Sequence, residues 1–174
     1  MESESCIDIV SAGVENWIVI SKLRLAVHEA QSYKPAFQDL SNACGLVDSH
    51  GDKMGNISAD RIAELRRCMS GAFWNLGSSI HQAGRWDHSI PFVSKGVEID
   101  QALIDSHWSL YRTRNDVWDT FYQQLPKRAL LLAGCFVKLG DRKVCSIDFF
   151  DARILMSCIG SGPMIYTWLR FDVP

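Results

Sequence analysis

The chain has 174 residues, close to the size of one ordinary domain and long enough to bury a real core. Hydrophobic residues make 47% and charged residues 22%, a globular balance that excludes disordered and low-complexity classes. A formal charge of −2 and a pI near 6.2 leave no basic footprint for nucleic acid or an anionic membrane, so neither is expected as a partner.

Targeting and cysteine usage point to an intracellular protein. The opening MESESCIDIV is acidic, with no basic region before an apolar run, and so does not read as a secretory signal. Six cysteines (Cys6, Cys44, Cys68, Cys135, Cys145 and Cys158) are scattered without a C-x-x-C pair, and suit free thiols packed as small hydrophobes. The one candidate membrane stretch in the sequence, Ile154 to Trp168, is broken by Gly160, Gly162 and Pro163 and reads as too short to span a bilayer.

In chain order, residues 5–31 place Val14, Trp17, Ile18 and Leu25 at helical spacing, with a stop before Pro35. Residues 36–47 repeat the pattern with Phe37, Leu40, Ala43, Cys44 and Val47. The segment DSHGDKMGN, residues 48–56, reads as a loop because turn formers dominate it. Ser58 then caps a long third helix, with Asp60 in the first turn. Its apolar line runs Ile62, Leu65, Met69, Phe73, Leu76 and Ile80 and ends at Gly84, a natural residue for a helix C-terminus.

A fourth helix starts near Asp87, read as its N-cap. Pro91 is tolerated in the first turn or so, and the stripe is Trp86, Ile90, Val93, Val97, Ile104, Trp108 and Tyr111. A fifth helical run holds Val117, Trp118, Phe121, Tyr122 and Leu125 before Pro126, which is expected to end or kink it. Ala129, Leu132, Ala133, Phe136 and Leu139 resume the same face. No period-2 segment of strand length precedes residue 145, so the expected fold is all-α, built of antiparallel helical hairpins.

One stretch is more specific. Residues 70–100, SGAFWNLGSSIHQAGRWDHSIPFVSKGVEID, resemble a tetratricopeptide repeat without a gap. Phe73, Leu76-Gly77, Ile80, Gly84, Trp86, Ser89-Ile90 and Gly96 take the aromatic, close-packing and turn positions. Gly77 is expected to face Ser89 where the two helices cross, because helix axes approach closely only where side chains are small. A degenerate copy at 126–150 aligns Leu132-Ala133, Phe136 and Gly140-Asp141. Gly84 and Gly140 are 56 residues apart, however, against a tetratricopeptide period of ~34. These features divide the chain into N-terminal helices and loop at 1–57, a repeat-like core at 58–144, and an apolar tail at 145–174.

The pairing of WNLGSSIHQAGRWDHSIPFVSKGVEID with the later LLLAGCFVKLGDRK resembles the helical-repeat region of fungal separases, over roughly residues 58–143. These are cysteine endopeptidases of sister chromatid separation. The resemblance implies a scaffold that binds a securin-like protein in nucleus and cytoplasm, with the protease in a separate domain. No His-Gly or Cys-Ser-Ser-Gly element exists here, so no catalytic residue is carried over. Whether the polypeptide belongs to an enzyme stays open, and a stand-alone tetratricopeptide adaptor or co-chaperone-type module is the alternative.

Other chemistry finds no foothold. His28, His50, His81, His88 and His107 pair with no nucleophile by spacing, and neither metal-ligand spacing nor a phosphate-binding glycine loop occurs. No cofactor and no metal is therefore expected. Arg66-Arg67 and Lys127-Arg128 read as solvated helix faces. The expected partner is a protein or peptide held on a concave face by Trp74, Asn75, Ser78, His81 and Gln82, the outward positions of the repeat's first helix. Trp74→Ala is then expected to weaken binding at a surface-type stability cost, under ~1 kcal/mol.

Overall fold

The computed structural model describes residues 2–27, 32–51, 59–111 and 115–139. They form five helices: α1 (Glu2–Val27), α2 (Tyr33–Gly51), α3 (Ala59–Gln82), α4 (Trp86–Tyr111) and α5 (Asn115–Lys138). Among the described residues there is no strand, and no helix is long and apolar enough to cross a membrane. The all-α expectation holds. Ser58 and everything beyond Leu139, including the tail and most of the second repeat copy's turn, lie outside the described residues.

Several boundaries differ from the sequence reading: α2 begins at Tyr33, ahead of residue 36, and α4 begins at Trp86, so Asp87 stands in its first turn instead of at its N-cap. Helix α2 continues through Asp48, Ser49 and His50 to Gly51, where a loop is expected. Local hydrogen bonds suit those residues to a helix end: Ser49 Oγ donates to the Leu46 carbonyl, and His50 Nδ1 lies 2.9 Å from the same oxygen. Helix α5 also runs through Pro126 without a break. Proline removes one backbone donor there, and Phe121, Leu125, Arg128 and Leu132, buried on both sides of it, hold the helix in place.

One buried cluster draws on all five helices, from Val10 and Val14 on α1 to Phe121 and Leu125 on α5. Phe37, Phe73 and Phe92 join α2, α3 and α4, with ring centroids 5.3 to 6.3 Å apart. The third-helix line is buried as expected, apart from half-buried Leu65. On α4 the core face differs from the heptad stripe, because Phe92, Ile99 and Leu103 are fully buried while Ile90 and Val97 stay half-exposed. An ion pair at 2.5 Å between Arg24 and buried Asp39 ties α1 to α2, and Arg66 reaches Asp48 at 3.1 Å to tie α3 to α2.

The α3–α4 crossing is built on small residues. Gly84 adopts a φ of +76°, and the amides of Gly84 and Arg85 donate to the carbonyls of His81 and Ile80, closing the turn between the helices. A Cβ on Gly77 would lie 2.6 Å from Val93 Cγ2 and 3.2 Å from Phe92 Cβ, so the helices meet where no side chain fits. Ser89 Oγ donates to the Gly77 carbonyl at 2.7 Å, which places it opposite Gly77 as expected. Further along, a Cβ on Gly96 would lie 3.4 Å from the Ser70 carbonyl, a second close approach.

Gly77→Leu is therefore expected to destabilise by about 1–3 kcal/mol or more, through overpacking. Gly77→Ala also melts below wild type, because the stiff Val93 blocks its methyl and outweighs the helix-propensity gain. Gly45→Ala, with open space around its Cβ, gains up to about 1 kcal/mol. Thermal melts of the three variants check the contrast.

Candidate functional site: a groove between α1, α3 and α5

The site begins with a buried charge. Arg128 on α5 and Asp100 on α4 are both nearly inaccessible, with side chains 4% and 2% exposed. Arg128 Nη1 donates to Asp100 Oδ2 and to Ser70 Oγ, each at 2.5 Å. The Ser70 hydroxyl donates in turn to Asp100 Oδ1, and the Gly96 carbonyl lies 3.3 Å away. Arg128 Nη2 donates to Gln124 Oε1 at 3.2 Å, and Nε is buried without a hydrogen-bond partner. Burial pushes the Asp100 carboxyl above its ordinary range, while Arg128 and the Ser70 hydroxyl pull it back down.

This corrects the reading of Lys127-Arg128 as a solvated pair. Lys127 is exposed, but Arg128 is one of the most buried residues of α5. Its guanidinium also lies 5.6 Å from the Trp74 ring and 5.8 Å from the Phe121 ring, so aromatic faces enclose the charge.

A second junction stands one heptad away. Ser89 on α4 donates to the Gly77 carbonyl of α3 and accepts from the Cys135 thiol of α5 at 3.6 Å. Burial raises the pKa of Cys135 and lifts that of Cys44 to about 11, while Cys68 is exposed.

Beside the first junction, where Arg128 borders it, the first, third and fifth helices leave a groove of about 360 Å³. Helix α1 contributes Glu15, Ile18 and Lys22 to its walls. Helix α3 forms the floor with Gly71, Ala72 and Asn75, and α5 closes it with Thr120, Phe121 and Gln124. Arg67, Cys68 and Arg128 complete the lining.

Of the residues expected on a concave face, Asn75 lines this groove. Trp74 is half-buried against Arg128 on the α5 side, Ser78 and His81 are half-buried, and Gln82 is exposed. The α1 and α5 walls were not anticipated, because nothing in a single sequence says which helices flank α3. Among the described residues no cluster of His, Cys, Asp or Glu could hold a metal ion. No protein family matches the chain, and comparison with curated proteins and with solved structures also finds no match.

Removing either buried partner alone, as in Asp100→Ala or Arg128→Ala, is expected to cost about 3–5 kcal/mol by stranding the other group. The double variant Asp100→Leu/Arg128→Met recovers most of that loss, which a double-mutant cycle by urea denaturation measures. With its indole against the guanidinium, Trp74→Ala costs ~2 kcal/mol rather than a surface-type value. Thiol mapping at pH 8 by mass spectrometry is expected to label Cys68 fast and Cys44 and Cys135 slowly, because the buried thiols stay protonated.

Proposed function

We propose that the chain is a non-catalytic protein-interaction scaffold whose α1–α3–α5 groove receives a peptide segment of a partner. The groove itself carries this reading. Its floor is opened by Gly71 and offers the amide of Asn75, its α5 wall offers that of Gln124, and Ile18 and Phe121 add apolar surface. Amides both donate and accept, which suits the backbone of an extended peptide, and the apolar residues suit alternate side chains.

The repeat-like residues 70–100 and the resemblance to the helical region of fungal separases support a more particular version. In it the chain is a piece of a separase-like protein of sister chromatid separation and its partner is securin-like. The observed groove, which needs no protease domain, equally favours an adaptor that stands alone. An uninterrupted reading frame beyond Pro174 that carries His-Gly and Cys-Ser-Ser-Gly elements decides for the separase version, and its absence decides for the adaptor.

Panning a displayed peptide library against the chain tests the groove. Enriched peptides are expected to bind wild type and to lose at least ~10-fold in affinity on Asn75→Trp, which fills the floor without touching the core. Peptides that bind both proteins equally would remove the groove from the reading.

A further inference from the structure

Helix α1 is apolar on both sides. Ile7, Val10, Val14 and Ser21 are buried against the core. The opposite face carries Ile9, Ala12, Asn16, Val19, Ile20, Leu23 and Val27, all exposed, with Ile9 70% and Val27 66% accessible. At 100° per residue these seven positions fall within a narrow stripe. It contains no charge. A helix at the edge of a helical stack ordinarily shows water a polar face, and this one does not.

The stripe is also symmetric about Asn16. Ile9 and Leu23 lie seven residues to either side of it, and Ala12 and Ile20 lie four. Two α1 helices laid antiparallel with Asn16 opposite Asn16 would set Ile9 against Leu23 and small Ala12 against the bulky Val19 and Ile20. A polar asparagine in the middle of an apolar seam is a known device for holding one register.

Charge sets the direction. Asp8 and Glu15 are in the first part of α1, and Lys22 and Arg24 are in the last. Asp8, Glu15 and Lys22 flank the same side of the stripe, so an antiparallel pair brings Asp8 towards the other chain's Lys22 twice and sets Glu15 beside its own copy once, leaving one more attraction than repulsion. A parallel pair would set this flank against the opposite one, so Asp8 would meet no Lys22. The exposed partners these residues already have do not prevent this: Asp8 meets Arg61 only at 3.9 Å, and Arg24 is held by Asp39 on the far flank.

We infer that the outer face of α1 is a self-association surface, on which a second copy of this chain pairs antiparallel about a two-fold axis at Asn16. Such an interface is isologous, so one stripe supplies both halves. None of the seven stripe residues lines the groove, although Glu15 and Lys22, which flank the stripe, border both.

Sedimentation of the full chain across the micromolar range tests it. A reversible dimer is expected, weakened at least ~30-fold by Leu23→Glu, because an unpaired charge is buried at the seam. Val27→Lys, at a still more exposed position, should weaken the dimer with the melting temperature of the monomer unchanged. Under mild oxidation, a mixture of Ile9→Cys and Leu23→Cys chains should form 9–23 disulfides, and Ile9→Cys alone no 9–9 disulfide. A chain that stays monomeric overturns the proposal, as does a dimer indifferent to Leu23→Glu or linked 9–9. A monomer whose stability falls in Leu23→Glu would show that the stripe is covered within the chain, which also overturns it.

Discussion

The packing of α5 rests on one buried ion pair. Arg128 and Asp100 can be out of water only because each satisfies the other and Ser70 bridges them. Desolvating two charges costs several kcal/mol per ion, which their attraction offsets only in near-ideal geometry. The pair is thus a poor source of net stability and a strong selector of arrangement. Sliding α5 by one turn along α4 would leave two charges buried and unmatched. What the interaction determines is register.

The second junction repeats that logic in neutral groups. Ser70 and Gly77 on α3 are seven residues apart, as are Arg128 and Cys135 on α5, so the two junctions stack along the same pair of helix faces. Asp100 and Ser89 meet them from α4, which runs the other way. Glycine at 77 and 96 lets α4 approach closely enough for a serine hydroxyl to reach a carbonyl across the crossing. Close approach and polar bridging are two results of the same small residues.

The groove follows from this arrangement. Because α5 is pinned through Arg128, its Phe121 and Gln124 stand across from α1, and α3 is left as the floor between them. The guanidinium that anchors α5 also borders the groove and packs against Trp74. Trp74 therefore couples the groove wall to the core, while Asn75, its neighbour in sequence, faces the open space.

Apolar periodicity revealed the all-helical character of the described residues and most of their core faces, because it is a local property that burial then enforces. The sequence by itself also located the tight crossing, since Gly77, Gly84 and Ser89 have few other reasons to stand at those spacings. Proline at 126 misled for the opposite reason, since local preference yielded to buried neighbours on either side, and the turn formers at 48–50 misled because their own side chains bond back to the Leu46 carbonyl and extend the helix. Only the tertiary structure decided the fate of Arg128. In sequence it is an arginine beside a lysine on a helix, and its partners are 28 and 58 residues away. Charge burial depends on what other elements bring to the same point, and no periodicity within one helix records that.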